Sequence, residues 1–226
     1  MEFNRKYISE LTKKVTADYE KMMSAVSLCP DADYKSYIKL FSFMAPYVFN
    51  REGKNRCYLF PGNESFVPVC YALLSARGCF PEEQLLSYSK LGSFLQKVPQ
   101  MKKIPGFDAP CINGEGEFII ASAFAQEQVK YNNKSGVFCV LKDVEDTERI
   151  CCEAERTKPL GLYCMTLVHL CSSAFFDEKY EKELIPELRK NGWETYKAQP
   201  CYEQLECVFE ERFSKDTPAY IQINIF

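Results

Sequence analysis

The sequence predicts an α+β fold, in which an N-terminal layer of helices packs on a C-terminal antiparallel sheet crossed by one long helix. Apolar residues recur at three- and four-residue steps through most of the first hundred residues, the spacing of amphipathic helices. After residue 116 the chain carries short β-prone runs separated by turn-forming residues, which is typical of a small antiparallel sheet. These two patterns together give the predicted fold class.

The predicted domain organisation follows the same change of character. Residues 1–97 form a helical region, and residues 117–226 form an α+β region. Between them, residues 98–116 hold three prolines and three glycines, so we expect a linker loop there. A chain of 226 residues can bury one sizeable core. We therefore expect the regions to form one compact unit.

Four helices are predicted in the N-terminal region. The first helix is predicted from an apolar stripe that contains no Gly or Pro, and it ends near residue 30. The second covers residues 34–48, and the third covers residues 63–77 and stops before Gly78. The fourth covers residues 81–97, where a proline followed by two acids is a typical helix start. The stripe of the first helix consists of Ile8, Leu11, Val15, Tyr19, Met22 and Val26.

Six strands and one long helix are predicted in the C-terminal region. The helix covers residues 159–190, which are largely apolar, and it is expected to lie across the sheet. Period-two apolar positions in residues 205–213 predict a strand with Cys207 on its core face. The predicted strands are 118–124, 137–144, 149–154, 193–199, 205–213 and 220–226.

Charge and hydropathy exclude two classes of partner. The 28 basic and 31 acidic residues are spread along the chain and give a net charge of -3, so we expect no nucleic-acid partner. No stretch approaches the roughly 18 uninterrupted apolar residues of a membrane helix, and the first 14 residues are mostly polar and charged. We therefore expect a cytoplasmic protein with no membrane contact.

The cysteine and histidine content bears on metals and disulfides. The chain has twelve cysteines but one histidine, His169, and no Cys-x-x-Cys pair, so a structural zinc site is not expected. Without an export signal, the cysteines are expected to be reduced thiols. We predict neither a metal nor a cofactor. The oligomeric state is left open.

His169 has two interpretations because it is the only imidazole. Any histidine-dependent proton transfer must use it, yet it lies in the apolar run Leu-Val-His-Leu-Cys, where a hydrogen-bonded core residue is expected more often. Cys171 is two positions away, and side chains on a helix meet at steps of three or four. In the predicted long helix, a Cys171–His169 dyad is therefore disfavoured.

The cysteines of the last third form a spaced set. Cys151 and Cys152 are adjacent, Cys171 follows nineteen residues after Cys152, and Cys207 begins a Cys-Val-Phe run. Earlier in the chain, residues 71–83 read as helix, glycine and helix start. This layout resembles the bacterial L-2-amino-thiazoline-4-carboxylic acid hydrolase family. It is more distantly similar to the 4-vinyl reductase type of small-ligand domain.

The first resemblance implies a small-molecule hydrolase that opens a small carboxylated heterocycle with a cysteine nucleophile. Cys152 and Cys171 are the candidate nucleophiles, with His169 as the candidate base. A nucleophilic thiolate needs a lowered pKa, and the cationic side chains of Arg149 and Arg156 lie near Cys152 in the sequence. Both arginines are also candidate ligand-binding residues.

The second resemblance implies an alternative, a non-catalytic small-ligand-binding or sensor domain. In this alternative the cysteines only line the pocket. Independently of either resemblance, the strand phase of residues 205–213 makes Cys207 a candidate ligand-binding residue that approaches Cys171 if the pocket lies between the sheet and the long helix. Turnover of a bound compound would separate the two functions.

Overall fold

The computed structural model describes residues 4–48, 57–99, 103–104, 107, 114–132, 135–172 and 180–225. Within them, five strands form a single sheet in the order β1-β2-β3-β5-β4, and every neighbouring pair is parallel. The fold class is therefore α/β, and the predicted α+β fold with an antiparallel sheet is wrong. The strands are β1 (Tyr58–Pro61), β2 (Val137–Lys142), β3 (Met165–Ser172), β4 (Glu194–Ala198) and β5 (Ala219–Ile225).

Helices cover both faces of this sheet. They are α1 (Arg5–Ala25), α2 (Tyr34–Val48), α3 (Phe66–Ala76), α4 (Glu115–Lys130), α5 (Thr147–Thr157), α6 (Ile185–Lys190) and α7 (Tyr202–Phe213). Strand residues Val140, Val168 and Ile221 belong to one apolar cluster together with α1, α2, α3 and α7. Leu141 and Leu167 belong to a second cluster with α4, α5 and α6.

Several predicted elements are confirmed. Helices α1, α2 and α3 occupy the first three predicted helices. Helix α1 buries a stripe of residues at helical spacing, whereas α2 and α3 are buried on most of their surface. Strands β2, β4 and β5 occupy three of the predicted strands. The predicted fourth helix is wrong, since only a short 3-10 helix, Glu82–Ser87, forms there.

The central strand β3 overturns the predicted long helix at residues 159–190. Seven of its eight residues are buried, because a parallel strand covered on both faces reads as a continuous apolar run. Such a run has no periodicity that separates it from a buried helix. After it, residues 180–184 form one π-helical segment that leads into α6, and residues 173–179 lie outside the described residues.

Three predicted strands are helices. Residues 118–124 lie in α4, residues 149–154 lie in α5, and residues 205–213 lie in α7. The start of α5 is fixed by Asp146, whose side chain accepts a hydrogen bond from the Arg149 backbone N–H at 2.9 Å. The antiparallel sheet and its hairpin therefore have no counterpart here.

The N-terminal region also contributes to the sheet. Strand β1 follows α2 and pairs with β2 in the register Tyr58↔Val137. Most of the predicted linker, residues 98–116, lies outside the described residues, and its last two residues begin α4. No described helix combines the length and the apolar composition that crossing a membrane requires.

Candidate functional site

The sequence-predicted site residues do not converge on one place. Cys152 is exposed on α5, the helix that also carries Arg149 and Arg156. The Arg156 guanidinium pairs with Glu153 at 2.7 Å, and this hydrogen bond raises the pKa of Arg156. Arg156 is thus engaged on its own helix.

His169 and Cys171 are in contact, unlike the expectation for a helix. Both lie on β3, where side chains two positions apart share a face, and Cys171 Sγ is 3.5 Å from each imidazole nitrogen. His169 Nε2 accepts a hydrogen bond from the Val144 backbone N–H at 3.1 Å. His169 Nδ1 lies 2.8 Å from the Tyr220 hydroxyl. Both ring nitrogens are therefore occupied by other partners.

Burial keeps this pair uncharged. It lowers the pKa of His169 to about 3 and raises the pKa of Cys171 to about 12, because both charged forms lose solvation. A neutral imidazole whose Nε2 accepts from an amide carries its proton on Nδ1, which then donates to Tyr220. At neutral pH the pair holds a thiol and not a thiolate, which is the state of a core residue rather than a nucleophile.

Cys207 does not face Cys171. It is exposed on α7, and α7 packs through Leu205 and Phe209 on the first apolar cluster. Cys171 belongs to the second cluster, on the opposite face of the sheet. The predicted approach of Cys207 and Cys171 across a pocket is therefore wrong.

Thiol exposure gives a direct test of this arrangement. With iodoacetamide near neutral pH, we expect native protein to be alkylated at Cys152 and Cys207, and Cys171 only after unfolding, because its thiol is buried and protonated. Peptide mass spectrometry after timed quenching measures each site, with exposed Cys29 as the reference. Alkylation of native Cys171 at the rate of Cys29 would contradict the structure.

A cavity of about 490 Å³ opens at the amino ends of the strands. Cys57, Gly136 and Cys164 directly precede β1, β2 and β3, and parallel strands bring these positions to one edge of the sheet. A Cβ on Gly136 would lie 2.9 Å from Cys57 Sγ, so a larger residue here would displace the Cys57 side chain. The lining residues are Cys57, Asn132, Gly136, Phe138, Tyr163, Cys164, Thr166, Arg212, Phe213, Lys215 and Asp216.

Arg212 is the central polar group of this cavity. Its side chain projects from the last turn of α7, and the residue is only 5% exposed. Nε donates to Thr166 Oγ1 at 2.8 Å, and Nη2 donates to the carbonyls of Tyr163 and Met165 at 2.7 and 3.2 Å. Nη1 donates to the Lys215 carbonyl at 3.2 Å. None of the described carboxylates forms an ion pair with this guanidinium, although Asp216, which lines the same cavity, electrostatically opposes the lowering of its pKa by burial.

The electrostatics of the cavity favour a negative guest. Burial lowers the pKa of Arg212, which shows the cost of holding its charge away from water. Burial also raises the pKa of the Cys57 thiol and raises that of Cys164 to about 11, so neither supplies a compensating thiolate. Lys215 also lines the cavity, but it pairs with Glu194 and Glu211 at 3.1 Å each. Arg212 is thus the cation among the described lining residues that forms no ion pair.

The opposite edge, at the carboxyl ends of the strands, is occupied by the chain's own charges. Lys142 Nζ lies 3.5 Å from Asp31 and 3.1 Å from Asp33. Asp143 accepts hydrogen bonds from the Ser172 backbone and hydroxyl at 2.8 and 3.0 Å. Among the residues that the structure describes, no group of three or more metal-binding side chains is placed to hold a metal ion.

The fold and the cavity define a parallel α/β domain with helices on both faces of one sheet. Similar solved structures are transketolases. That of Campylobacter jejuni superposes with a TM-score of 0.75 at 16% identity, over 98% of this chain and 38% of that one. That of Leishmania mexicana gives 0.79 at 12% identity, over 96% and 36%. A mutant from Pichia stipitis gives 0.77 at 13% identity, over 96% and 36%.

These similarities establish the fold alone. The chain spans little more than a third of the length of the transketolases it matches. No protein-family model matches the sequence, and no curated protein matches it. The expected α+β fold with an antiparallel sheet is corrected to a parallel α/β fold, and the solved structures that share it are named as transketolases and not as hydrolases.

Sequence reasoning missed the residues that line the cavity. Arg212 stands in a charged run and looks like a surface residue, yet it continues the stripe Leu205, Val208 and Phe209 at helical spacing. That stripe was the available signal. No sequence signal pointed to Cys57 and Cys164, because only the parallel sheet places these two distant thiols at one edge.

Proposed function

We propose that this domain binds a small molecule non-catalytically in the cavity at the amino ends of the strands. The observation that carries the proposal is Arg212, a buried guanidinium without a carboxylate partner that faces a cavity of about 490 Å³. Buried charges in proteins are normally paired. The volume also falls in the usual range for small-ligand pockets. A bound anion would supply the missing partner.

Binding is favoured over catalysis by the state of the lining thiols. Burial raises the pKa of both Cys57 and Cys164, whereas nucleophilic cysteines carry lowered pKa values. The described lining residues contain no histidine, so no imidazole is available there as a base. The thiols are therefore assigned the role of small apolar wall groups.

The location differs from the usual position of ligands in open α/β sheets, which is outside the carboxyl ends of the strands. At that edge, Lys142 is paired with two aspartates, and the Glu115 side chain accepts hydrogen bonds from the backbone N–H groups of Glu145 and Asp146 at 3.1 and 3.2 Å. The charges of Lys142 and Glu115 are therefore already engaged within the protein. The amino-end cavity instead contains Arg212, a guanidinium that forms no ion pair with any described carboxylate.

We also propose a cytoplasmic setting and no nucleic-acid partner. All eleven cysteines among the described residues are free thiols, which supports a reducing compartment. The net charge of -3 argues against binding to the phosphate backbone of a nucleic acid.

Protection of Cys57 from modification tests the proposed function. The probes are fragment-sized aromatic compounds, both uncharged and anionic. The reagent is methyl methanethiosulfonate, which is small enough to enter the cavity and reach the buried Cys57 thiol there, whereas Cys171 lines no part of this cavity. We expect at least one compound to slow modification of Cys57, which lines the cavity, and to leave exposed Cys29 unaffected. The same compound should raise the melting temperature, because it binds only the folded state. Equal modification rates with every compound would refute the proposal.

A further inference from the structure

We propose that the ligand is an aromatic monocarboxylate, whose carboxylate binds Arg212 and Thr166 and whose ring packs on Phe138 and Phe213. This inference rests on the proposed function and specifies the chemistry of the same cavity. It follows from hydrogen-bond capacity, charge and the shape of the apolar wall.

Arg212 and Thr166 can each donate one more hydrogen bond in the cavity. A guanidinium has five N–H groups, and the contacts of Arg212 use Nε, both hydrogens of Nη2 and one of Nη1. One Nη1 hydrogen therefore remains. The Thr166 hydroxyl accepts from Nε at 2.8 Å, so its own hydrogen is still available to donate. A carboxylate has two oxygens and can accept from both groups.

The charge of the lining selects a monoanion. Of the two lining cations, Lys215 is already paired with Glu194 and Glu211, so Arg212 is the described lining cation that can form an ion pair with a guest. One carboxylate would pair with it, and Asp216, which also lines the cavity, limits how much further negative charge the cavity accepts. A phosphate monoester, close to doubly negative at neutral pH, would bring an excess charge next to Asp216.

The apolar wall suits a planar ring. The rings of Phe138 and Phe213 both line the cavity, and their centroids are 6.1 Å apart at an interplanar angle of 69°, so a guest in the cavity has two aromatic neighbours. Aromatic rings prefer offset-stacked and edge-to-face neighbours. The Cys57 and Cys164 thiols extend this apolar lining.

Three probes of matched size separate the alternatives. Benzoate carries one negative charge, benzamide is its neutral counterpart, and phenyl phosphate carries the larger charge. We expect benzamide to bind about 10- to 100-fold more weakly than benzoate, the factor that loss of a charged hydrogen bond predicts. Isothermal titration calorimetry measures each affinity, and protection of Cys57 locates the compound.

Two variants test the assigned donors. Thr166→Val removes the hydroxyl with little change of shape, and we expect it to weaken benzoate about tenfold while benzamide changes less. Arg212→Gln should abolish the preference for benzoate. If circular dichroism shows that Arg212→Gln is unfolded, Thr166→Val decides. Lys190→Gln, which alters a surface pair with Glu187, is the control.

The failures are distinguishable. Equal affinity for benzoate and benzamide, or tighter binding of phenyl phosphate, overturns the monocarboxylate and leaves the binding function in place. So does protection of Cys57 by uncharged fragments alone. If no compound protects Cys57, the proposed function fails together with the inference.

Discussion

Replacing Phe209 with alanine is expected to lower the free energy of unfolding by about 3–5 kcal/mol, the usual loss for a fully buried Phe. Its ring packs edge-on against Phe43 of α2, with centroids 5.1 Å apart, and stacks on Phe138 of β2 at 5.9 Å. One side chain therefore joins two helices and the sheet. Urea denaturation followed by circular dichroism measures the change through the transition midpoint at constant slope.

Phe213→Ala is the matched control for this substitution. Phe213 ends the same helix but is 45% exposed, so less apolar area returns to water and a loss of about 1–2 kcal/mol is expected. Equal losses for the two variants would contradict the packing described for α7. Because Phe138 also lines the cavity, Phe209→Ala should in addition weaken benzoate binding at a distance from the carboxylate.

The stability of the protein is expected to fall in mild acid because of His169. In the folded protein burial lowers the pKa of this imidazole to about 3, whereas an unfolded chain has a histidine pKa near 6.5. Between these values the unfolded state binds a proton that the folded state rejects. Unfolding is therefore favoured as the pH decreases through this window, and the contribution is constant above it.

The expected size of this effect is large for one residue. Each unit of pH within the window changes stability by about 1.4 kcal/mol, so the contribution between pH 6.5 and 4.5 is about 2–3 kcal/mol. Urea denaturation in a series of buffers across this range gives the dependence. Protonation of carboxylates also lowers stability in acid, so a variant of His169 is needed to separate its contribution from theirs.

His169→Gln supplies that comparison. Its amide oxygen can accept the Val144 N–H bond, but it does not titrate. We expect this variant to be less stable at pH 7 and to have a shallower dependence on pH, so that the two stability curves converge as the pH falls. If the stability of both proteins depended on pH in the same way, His169 would not be a buried neutral group in the folded state.

The sequence by itself determined the elements whose signal is local. Helix α1 carries an apolar stripe at helical steps, and β5 alternates isoleucines with polar residues. Such periodicity can be recognised in the sequence without knowing which elements pack against each other. Helices α2 and α3 are apolar on most sides but lie between turn-forming residues that mark their ends. The balance of charge and the mostly polar start of the chain were equally accessible from composition.

The tertiary structure alone decided the direction of the strands. The eight residues of β3 lie between two other parallel strands and are covered by helices on both faces, so their burial erases the alternation that marks a half-exposed strand. Once β3 is a strand, His169 and Cys171 share a face. The same geometry separates Cys171 from Cys207.

The candidate site depended on the tertiary structure for the same reason. Cys57, Cys164 and Arg212 are separated by long stretches of chain, and they face one cavity only because parallel strands begin at a common edge and α7 ends beside it. Local sequence carries no record of which strands will be neighbours. The buried charge of Arg212 arises from that assembly and from no motif.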